Sequence, residues 1–382
     1  MTLHIFNPEH DIALASGLAN FTAPHAGRQL RHDLGFLPAI WAEEGDSILV
    51  DDVEQAERSW LKLRHRIATL MGTESLPGVN SQFTRTKLPV YSGQTLRVDP
   101  WGWNSALRAK LIRWGIDESQ LPTLPQLDTI RQLSHRHTAA VLLPKLRAIG
   151  TPSSGTLAAQ RTVGEMFECQ TPEEVNHLLS LYGRLVMKAP WSSSGRGLRF
   201  LSVDRTPFAM QAGWFRNVVA NQGCVMVEPY YNKVKDFGME FQAEADGHIK
   251  YLGLSLFHTA NGAYTGNILA TEKTKQEMIS AYISEDLLTE VQKKICHELT
   301  SVYQGKYQGP FGVDMMIVAA DEGYALHPCV EINLRRTMGH VALALSPHDD
   351  DVRRVMRIDY TNYRPTSASG TSNNYLLKIN RL

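Results

Sequence analysis

Short apolar runs alternate with stretches of helical spacing along the first part of this 382-residue chain. Residues Leu3 to Phe6 and Ser47 to Val50 have the length and apolar character of buried strands. Helical spacing is found over Val53 to Leu70 and again over Asn104 to Trp114. Because alternating strands and helices are typical of α/β proteins, we predict an N-terminal α/β domain over residues 1–125.

The pattern changes after the segment from Leu121 to Asp128, whose two prolines predict a linker. Helical spacing then covers Ser134 to Ile149 and Thr171 to Tyr182, with apolar strands between and after these helices. This mixture predicts an α+β subdomain over residues 126–225.

The last part of the chain is dominated by strands joined by tight turns. Asp246 and Gly247 separate two apolar strands, and an Asp-Gly pair favours a tight hairpin. A helix is predicted from Glu285 to Tyr303, followed by a second hairpin that ends near Arg335. We predict a third subdomain over residues 226–382, so that the whole chain combines α/β and α+β folds.

Composition and charge restrict the class of partner. Hydrophobic residues make up 43% of the chain and charged residues 20%, as in soluble globular enzymes. Lys plus Arg and Asp plus Glu number 39 each, so the net charge is zero. A neutral chain lacks the basic surface expected for nucleic acids or anionic membranes, and a small-molecule partner is favoured. Composition leaves a homodimer open.

The four cysteines are far apart and form no C-x-x-C pair, which argues against a disulfide framework and a thiolate zinc site. The apolar run at the N-terminus is too short for a signal peptide, and no stretch approaches the ~20 apolar residues of a membrane span. These features predict a cytoplasmic protein with reduced thiols.

An apolar strand delivers Lys188 directly before a loop rich in serine and glycine. Small residues let backbone N–H groups approach phosphate oxygens, Lys188 supplies a point charge, and Arg196 lies within reach of a terminal phosphate. The loop matches neither a Walker motif nor a dinucleotide fingerprint. A surface hairpin tip explains the same residues equally well, because Gly and Ser dominate turns.

The hairpin that begins near Gly309 contains two acids within apolar strands. If Glu322 and Gly323 form a two-residue loop, Asp314 lies opposite Glu331; a three-residue loop shifts the register by one. Asn333 then shares a face with Glu331, and three oxygen ligands suit Mg²⁺. The alternative is a polar outer face, but acids within apolar runs favour metal binding.

A third motif is an apolar strand that ends at Glu228 and continues through Pro229, Tyr230 and Tyr231 towards two further acids. The order of the three motifs, from the strand lysine to E-x-N, resembles the ATP-grasp superfamily over roughly residues 134–336. The individual motifs are loose, whereas their order and spacing are specific. The resemblance implies an N-terminal pre-ATP-grasp domain followed by two subdomains that hold ATP between them.

The resemblance also implies a role for each matching residue. The residues similar to the phosphate-binding lysine and the flexible lid are Lys188, Ser192, Ser193, Ser194, Gly195, Arg196 and Gly197. The residues similar to the adenine hinge are Glu228, Pro229, Tyr230 and Tyr231, and the ribose acid is Glu240 or, less favoured, Asp236. The residues that match the Mg²⁺ ligands are Asp314, Glu331 and Asn333, and Mn²⁺ can substitute for Mg²⁺.

One departure from the family concerns the start of the middle subdomain. The family commonly places a lysine there, whereas this chain offers Arg136, which carries charge with a different geometry. In the implied reaction, Lys188 and Arg136 neutralise the phosphates while a substrate carboxylate is phosphorylated. Arg335 and Arg336, together with Arg196, are the candidate catalytic cations that stabilise developing negative charge.

The expected activity is therefore an ATP-dependent ligase that forms an acyl phosphate and couples it to an amine or thiol, with release of ADP and phosphate. A small-molecule kinase and a non-catalytic nucleotide-binding module are the alternatives. Two further motifs remain open. The segment from Asn7 to Asp11 fits an acceptor site or a helix N-cap, and Pro100 to Asn104 fits a substrate platform or, preferably, core packing.

Overall fold

The structure is a computed structural model that describes residues 1–71, 82–85, 96–150, 161–192, 197–260, 263–361 and 375–382. Its strands are β1 (Thr2–Ile5), β2 (Ser47–Leu49), β3 (Gln82–Thr84), β4 (Arg97–Pro100), β5 (Arg161–Thr162), β6 (Phe167–Cys169), β7 (Arg184–Lys188), β8 (Leu198–Ser202), β9 (Val225–Pro229), β10 (Lys233–Ala243), β11 (Ile249–Ser255), β12 (Phe257–Ala260), β13 (Ala263–Leu269), β14 (Gly309–Ala319), β15 (Tyr324–Asn333), β16 (Arg354–Tyr360) and β17 (Tyr375–Arg381). Its α-helices are α1 (His10–Ser16), α2 (His25–Leu34), α3 (Val53–Met71), α4 (Ser105–Arg113), α5 (Leu124–Leu133), α6 (His137–Arg147), α7 (Pro172–Tyr182), α8 (Ala212–Gln222), α9 (Glu272–Ser280), α10 (Glu285–Tyr303) and α11 (Met338–Ala344).

The chain divides into two compact units. The first unit contains Met1–Asp128, Thr265–Thr271 and His340–Leu382, and the second contains Thr129–Tyr264 and Glu272–Gly339. The predicted fold class is confirmed, because a parallel α/β sheet is followed by antiparallel sheets with helices. The three predicted domain ranges stay predictions.

The first unit contains a parallel sheet with the order β3-β2-β1-β4. Its core packs the fully buried Leu3 of β1 against Leu111 of α4. The α4 helix begins as predicted, since the side chain of Asn104 accepts a hydrogen bond of 2.9 Å from the backbone N–H of Leu107. Alternation of apolar strands and amphipathic helices therefore does produce the expected sheet and its packed helices.

Residues from the end of the chain complete the first unit. β16 pairs in antiparallel fashion with β13 and with β17. The backbone N–H of Tyr375 donates to Asp33 Oδ2 at 3.0 Å, and Arg66 Nε donates to the carbonyl oxygen of Ile379 at 2.8 Å. β17 is thus held by side chains of α2 and α3.

The second unit is built on a five-stranded sheet with the order β11-β10-β14-β15-β5. Its strands are antiparallel except for the pairing of β15 with β5, which is parallel. The predicted turn at Asp246 and Gly247 is confirmed, with Ala243 opposite Ile249 and Gly247 at a φ of +89°. Glycine adopts this left-handed conformation without a steric penalty.

A smaller antiparallel sheet of the second unit has the order β6-β9-β7-β8. Its inner face buries Leu185, Met187, Val225 and Val227 completely. Burial of each such side chain stabilises the fold by about 1.5–3 kcal/mol. This packing fixes the two strands that carry Lys188 and Glu228.

The segment predicted as a linker ends at Asp128, where the first part of the first unit ends, but its backbone is not irregular. The segment from Leu121 to Asp128 is mostly helical, because α5 begins at Leu124 and Pro125 occupies its first turn. Proline is compatible with the first turn of a helix, where its missing N–H has no intrahelical partner. Among the described helices, none is long and apolar enough to cross a membrane.

Candidate functional site

Polar side chains lie in register on one face of the five-stranded sheet. Asp314 of β14 lies opposite Glu331 of β15 and opposite Gly238 of β10. The predicted pairing of Asp314 with Glu331 is therefore present. Since side chains of opposed residues project to the same face, both carboxylates lie on one side of the sheet.

The adjacent row of the same face has a glycine at its centre. Gly312 of β14 lies opposite Asn333 of β15 and opposite Glu240 of β10. A Cβ atom at Gly312 would lie 2.6 Å from Oε2 of Glu240 and 2.9 Å from Cγ2 of Thr337. Glycine at this position leaves the space that the Glu240 carboxylate occupies.

A second glycine makes room on another side of Glu240. A Cβ atom at Gly339 would overlap Oε1 of Glu240 and lie 2.5 Å from Oγ of Ser255. Glu240 itself is only 3% exposed. The chain therefore encloses a carboxylate by means of two glycines, and neither glycine was recognised from the sequence.

Asp314 is held by its neighbours within this row of acids. Asn333 Nδ2 donates to Asp314 Oδ2 at 3.1 Å, and Arg335 Nη2 donates to Asn333 Oδ1 at 2.9 Å. Burial, followed by the charges of Glu331 and Glu240, raises the pKa of Asp314 to about 8. The crowded carboxylates thus favour either a shared proton or a bound cation.

Arg136 connects three parts of the candidate site. It is 6% exposed, and Nη1 lies 2.8 Å from Glu331 Oε2. Nε donates to the carbonyl oxygen of Ala189 at 3.0 Å, and Nη2 donates to Ser192 Oγ at 3.2 Å. The structure therefore brings Arg136 to the end of the Lys188 strand and to the acidic face, and its role at the phosphates stays a prediction.

Lys188 and Glu228 form a buried ion pair. Their strands β7 and β9 are antiparallel neighbours, and Lys188 Nζ lies 2.6 Å from Glu228 Oε1. The side chains are 8% and 4% exposed. Lys188 is thus a charge held in place within a sheet, as a phosphate-binding lysine must be, and its present partner is the predicted hinge acid.

The hinge residues follow β9 directly. The backbone N–H of Tyr230 donates to the carbonyl oxygen of Arg184 at 3.0 Å, and the guanidinium of Arg184 lies 3.8 Å from the centre of the Tyr230 ring. Pro229 is buried and ends the strand. Tyr231 contacts His327 edge-on, with ring centres 5.4 Å apart.

The two candidate ribose acids differ in environment. Asp236 accepts from Thr259 Oγ1 at 2.5 Å and pairs with Lys233 Nζ at 2.5 Å, so its carboxylate is engaged by neighbouring side chains. Glu240 lies on the acidic face described above. The predicted preference for Glu240 over Asp236 agrees with these positions, and the ribose role stays a prediction.

The predicted lid is described only at its two ends. Ser192 accepts the hydrogen bond from Arg136, and the carbonyl oxygen of Gly197 accepts a 2.9 Å hydrogen bond from Ala189. A Cβ atom at Gly197 would overlap Ser192, so the two ends of the loop approach closely. The residues Ser193, Ser194, Gly195 and Arg196 lie outside the described residues.

The two arginines after β15 lie beside the acidic face. Arg335 contacts Asn333 and lowers the otherwise raised pKa of Asp314. Its Nη1 also donates to the carbonyl oxygen of Arg336 at 3.2 Å. Arg335 thus contacts Asn333, which in turn contacts the carboxylate of Asp314. A cation at this position suits the predicted role of stabilising negative charge near the carboxylates.

The donor set on this face fits Mg²⁺. Asp314 and Glu331 offer carboxylate oxygens, and the Asn333 amide offers its oxygen if the group rotates. Mg²⁺ is normally bound by one or two carboxylates together with substrate phosphates. Across the described residues, no group of three or more His, Cys, Asp and Glu side chains is arranged to hold a metal ion alone.

His327 was not recognised as a site residue from the sequence. It is fully buried on β15, opposite Met316, and burial followed by the charge of Lys188 lowers its pKa to about 3. A Cβ atom at Gly164 would lie 2.6 Å from its Nε2. The sequence signal for His327 was its even spacing from Glu331 along the strand, because residues at even spacing project to the same face of a sheet.

The two motifs that the sequence left open both lie in the first unit. The N-cap position of α1, Glu9, makes no side-chain capping hydrogen bond, which leaves the N-cap interpretation without support there. Asn7 instead donates to the carbonyl oxygen of Gly102 at 2.9 Å. Trp101 is buried and packs edge-on against Phe6 at 4.9 Å, so the packing interpretation is favoured.

The chain is similar in fold to several solved structures. One is an N5-carboxyaminoimidazole synthetase from Staphylococcus aureus complexed with ADP, at 12% identity, over 94% of this chain and 82% of the other, with a TM-score of 0.48. Another is a biotin carboxylase–β-γ-ATP complex from Campylobacter jejuni, at 11% identity, over 95% and 77%, with a TM-score of 0.48.

A third is a putative ATP-grasp superfamily protein from Archaeoglobus fulgidus, at 13% identity, over 100% of this chain and 99% of the other, with a TM-score of 0.43. No family model and no curated protein matches the chain.

Proposed function

We propose that this protein is an ATP-dependent ligase of the ATP-grasp type that activates a small carboxylate and couples it to an amine or thiol. The observation that carries the proposal is the row of acids on β10, β14 and β15, in which Glu240, Asp314 and Glu331 share one face of a sheet. Burial of neighbouring carboxylates lowers the stability of the folded state, and a bound cation offsets this loss.

The cations next to this row support a phosphate ligand. Arg136 reaches from Glu331 to Ser192 at the start of the predicted lid, and Lys188 lies at the end of the neighbouring strand β7. A nucleotide triphosphate requires a fixed lysine, a forked arginine and carboxylates that hold Mg²⁺. Among the described residues, Lys188 is such a lysine, Arg136 is such an arginine, and the acids of β14 and β15 are such carboxylates.

In the proposed binding mode, Asp314, Glu331 and Asn333 would hold Mg²⁺, which would supply positive charge next to the phosphates. Lys188 and Arg136 orient the phosphates. Arg335, which already contacts Asn333, stabilises the negative charge that develops at the substrate carboxylate.

In this proposal, Arg136 would leave Glu331 so that the carboxylate could serve as a metal ligand. The ion pair in the present structure occupies one of the oxygens that a metal ligand must offer. Exchange of Arg136 from the carboxylate to a phosphate preserves a charge-assisted partner for both groups. A cytoplasmic location belongs to the proposal as well, and so do the substrate classes, a small carboxylate and an amine or thiol.

The direct test is nucleotide turnover. Purified protein with Mg·ATP is screened against pools of amino acids and small organic acids, and ADP release is measured together with the coupled product. The proposal requires ADP release that depends on both an acid and an amine or thiol. ADP release with a phosphorylated product but no coupling would favour a kinase, and tight ATP binding without turnover would favour a nucleotide-binding module.

A pair of variants on one hairpin tests the metal site. Glu331→Gln should abolish turnover while leaving the melting temperature close to that of the wild type. Glu322→Gln makes the same chemical change in the exposed turn of the same hairpin and should retain full activity. Equal activity of both variants would contradict the role of Glu331.

A further inference from the structure

The first unit contains a cleft that the proposed reaction does not use. It has a volume of about 210 Å³, which is below the usual range for drug-sized ligands and suits a small organic anion. Residues that follow β1 and β2, among them Asn7 and Asp51, line it. The cleft therefore lies at the carboxyl ends of parallel strands.

The strand order makes this position significant. From β1 the chain adds β2 and β3 on one side of β1, and β4 then pairs with the other side of β1. Open parallel sheets bind ligands at the point where the strand order reverses in this way. The reversal in this sheet is at β1, whose C-terminal residues form part of the cleft wall.

Two helices bring positive charge to the cleft. Arg28 and Arg31 lie three residues apart on α2, and Lys110 and Arg113 lie three residues apart on α4. Residues at this spacing project from the same side of a helix. Glu9 and Asp51 are the acidic residues in the lining, so the four cations exceed the two carboxylates.

The pairing of these charges is uneven. Arg31 contacts Glu9 and also lies 3.2 Å from Asp51 Oδ2, so it accounts for both acids. Among the described residues, no carboxylate lies within ion-pair distance of Lys110 or Arg113. Lys110 Nζ instead lies 4.4 Å from the centre of the Trp114 ring. Positive charge in the cleft is therefore in excess.

The environment of Lys110 supports an anionic ligand. Burial, and then the neighbouring charge of Arg31, lowers the pKa of Lys110. A lysine placed between an arginine and a partly buried wall has lost contact with water. A bound anion compensates for this loss because it favours the charged form of the lysine. Arg113 is more exposed and lies at the rim, where it can close over the anion.

Glu9 adds a second, independent requirement. Its Oε1 contacts Arg31, whereas Oε2 is buried and accepts no hydrogen bond from any described residue. A buried carboxylate oxygen without a donor is costly, and a ligand that brings a hydroxyl or an ammonium group removes the cost. The oxygen belongs to a residue that lines the cleft.

We propose that this cleft is a binding site for a small organic anion, a phosphate ester or a carboxylate that also carries a hydroxyl or ammonium group. Lys110 and Arg113 bind the anion, and Glu9 Oε2 accepts a hydrogen bond from the second group. Every residue that forms this site belongs to the first unit, whereas the residues of the proposed nucleotide site belong to the second.

The test uses the full chain and titration calorimetry with four probes: inorganic phosphate, glycerol 3-phosphate, L-aspartate and, as a neutral compound, glycerol. Saturable binding of glycerol 3-phosphate identifies a phosphate ester, and saturable binding of L-aspartate identifies a carboxylate. Absence of saturable binding for all three anions at millimolar concentration would overturn the proposal, as would equally tight binding of glycerol.

Variants locate the binding. Lys110→Met should lower the affinity for the anion at least about tenfold, as expected for loss of a charge-assisted hydrogen bond. Lys62→Met, on the exposed side of α3 in the same unit, should bind as the wild type does. Equal affinity for the wild type and Lys110→Met would place the anion elsewhere and overturn the site.

Glu9→Gln tests the second group. It should weaken binding of glycerol 3-phosphate or L-aspartate more than binding of inorganic phosphate, because only the organic anions carry a donor on a carbon chain that extends beyond the anionic group. Glu331→Gln should leave anion binding unchanged, so that failure of the nucleotide proposal and failure of this proposal give different results. The melting temperature of each unliganded variant establishes that it is folded.

Discussion

Arg136 and Glu331 form an ion pair of 2.8 Å that links the start of α6 to the acidic face of the five-stranded sheet. The same guanidinium group donates to Ala189 and to Ser192, so one side chain positions Glu331, an acid of the proposed metal site, and the beginning of the predicted lid. Arg136 is the residue at which this chain departs from the common lysine of the family that it resembles. The forked geometry of arginine explains how one residue serves three partners.

Replacement of Arg136 by Met should therefore lower both stability and nucleotide affinity. We expect a loss of about 2 kcal/mol in the free energy of unfolding, since Glu331 and two further acceptors lose their donor. Urea denaturation and equilibrium binding of Mg·ATP measure the two effects. Arg205→Met, in an exposed turn of the same unit, should change neither. A variant at Arg136 with unchanged unfolding free energy would contradict the linking role.

The buried pair of Lys188 and Glu228 predicts a pronounced non-additivity. Lys188→Met or Glu228→Gln alone leaves the partner with fewer favourable contacts and should cost about 3–5 kcal/mol, because both side chains are nearly fully buried. The double variant should recover part of the loss, and unfolding in urea gives the coupling energy. Strictly additive losses would show that the two charges do not stabilise each other.

The glycine at position 312 predicts a steric effect on Glu240. Gly312→Ala should destabilise the protein by about 1–3 kcal/mol, because the added methyl group must displace the Glu240 carboxylate or Thr337. Gly213→Ala is the matched control, since a Cβ there meets nothing within 4 Å and position 213 lies in α8. The control should be neutral or stabilising by about 0.4–1 kcal/mol. Similar melting temperatures for both variants would refute crowding at Gly312.

The buried histidine at position 327 predicts an acid-dependent loss of stability. Its pKa is lowered to about 3 in the folded protein, so between that value and the ordinary histidine pKa of about 6.5 the unfolded chain binds more protons. Its contribution is therefore complete above the ordinary pKa and is lost as the pH falls. His135, with a pKa of about 4, acts in the same direction.

Asp314 acts in the opposite direction, because its raised pKa makes the folded protein bind more protons. A comparison of variants separates these effects. The slope of unfolding free energy against pH between pH 4.5 and 6 should be smaller in His327→Gln than in the wild type by up to about 1.4 kcal/mol per pH unit. Equal slopes would show that His327 does not remain neutral in the fold.

The proposed anion site has its own pH dependence. Lys110 has a lowered pKa, and the charged groups that face it are Glu9, Arg31, Asp51 and Arg113. Loss of its charge should begin below the pH expected for an ordinary lysine, so anion affinity should decline there on the alkaline side. Calorimetric titrations from neutral to alkaline pH measure this decline. A constant affinity up to the ordinary lysine pKa would contradict a role for Lys110.

The register of the hairpin formed by β14 and β15 illustrates what the sequence could predict and for which reasons. The predicted pairing of Asp314 with Glu331 is present, but the two-residue loop from which it was derived is not. Ala319 pairs with Tyr324, which leaves four residues in the turn. Between the pairs Met316–His327 and Asp314–Glu331, β15 has three residues whereas β14 has one.

The two additional residues of β15 restore the register that the longer turn would have lost. Pro328, which lacks a backbone N–H, lies in this irregular part of the strand, where an unpaired residue is tolerated. Period-two spacing was reliable because an insertion of two residues preserves the face to which side chains point. Turn length could not be predicted, since the compensating irregularity depends on strand pairing rather than on local propensity.

Contacts that depend on tertiary structure were beyond the sequence for a related reason. Arg136 was recognised as a cation near the phosphates, but its contact with Glu331 requires that α6 and β15 approach each other. The glycines at positions 312 and 339 carry no side chain whose chemistry could mark them. Their role became visible only from the position of the Glu240 carboxylate.

The composition of the first unit has a consequence for how the chain folds. Its α2 and α3 helices are contacted by β17, and the partners Asp33 and Tyr375 are separated by 342 positions in the sequence. During synthesis on the ribosome, the N-terminal part of the first unit therefore emerges early. Its contacts with β17 can form only after that strand has been synthesised. Contacts of such long range are slow to form, because the closure of a long loop must precede them. Fragments that stop before β16 lack these contacts and should consequently have a less stable first unit, whereas the residues of the second unit are all available earlier.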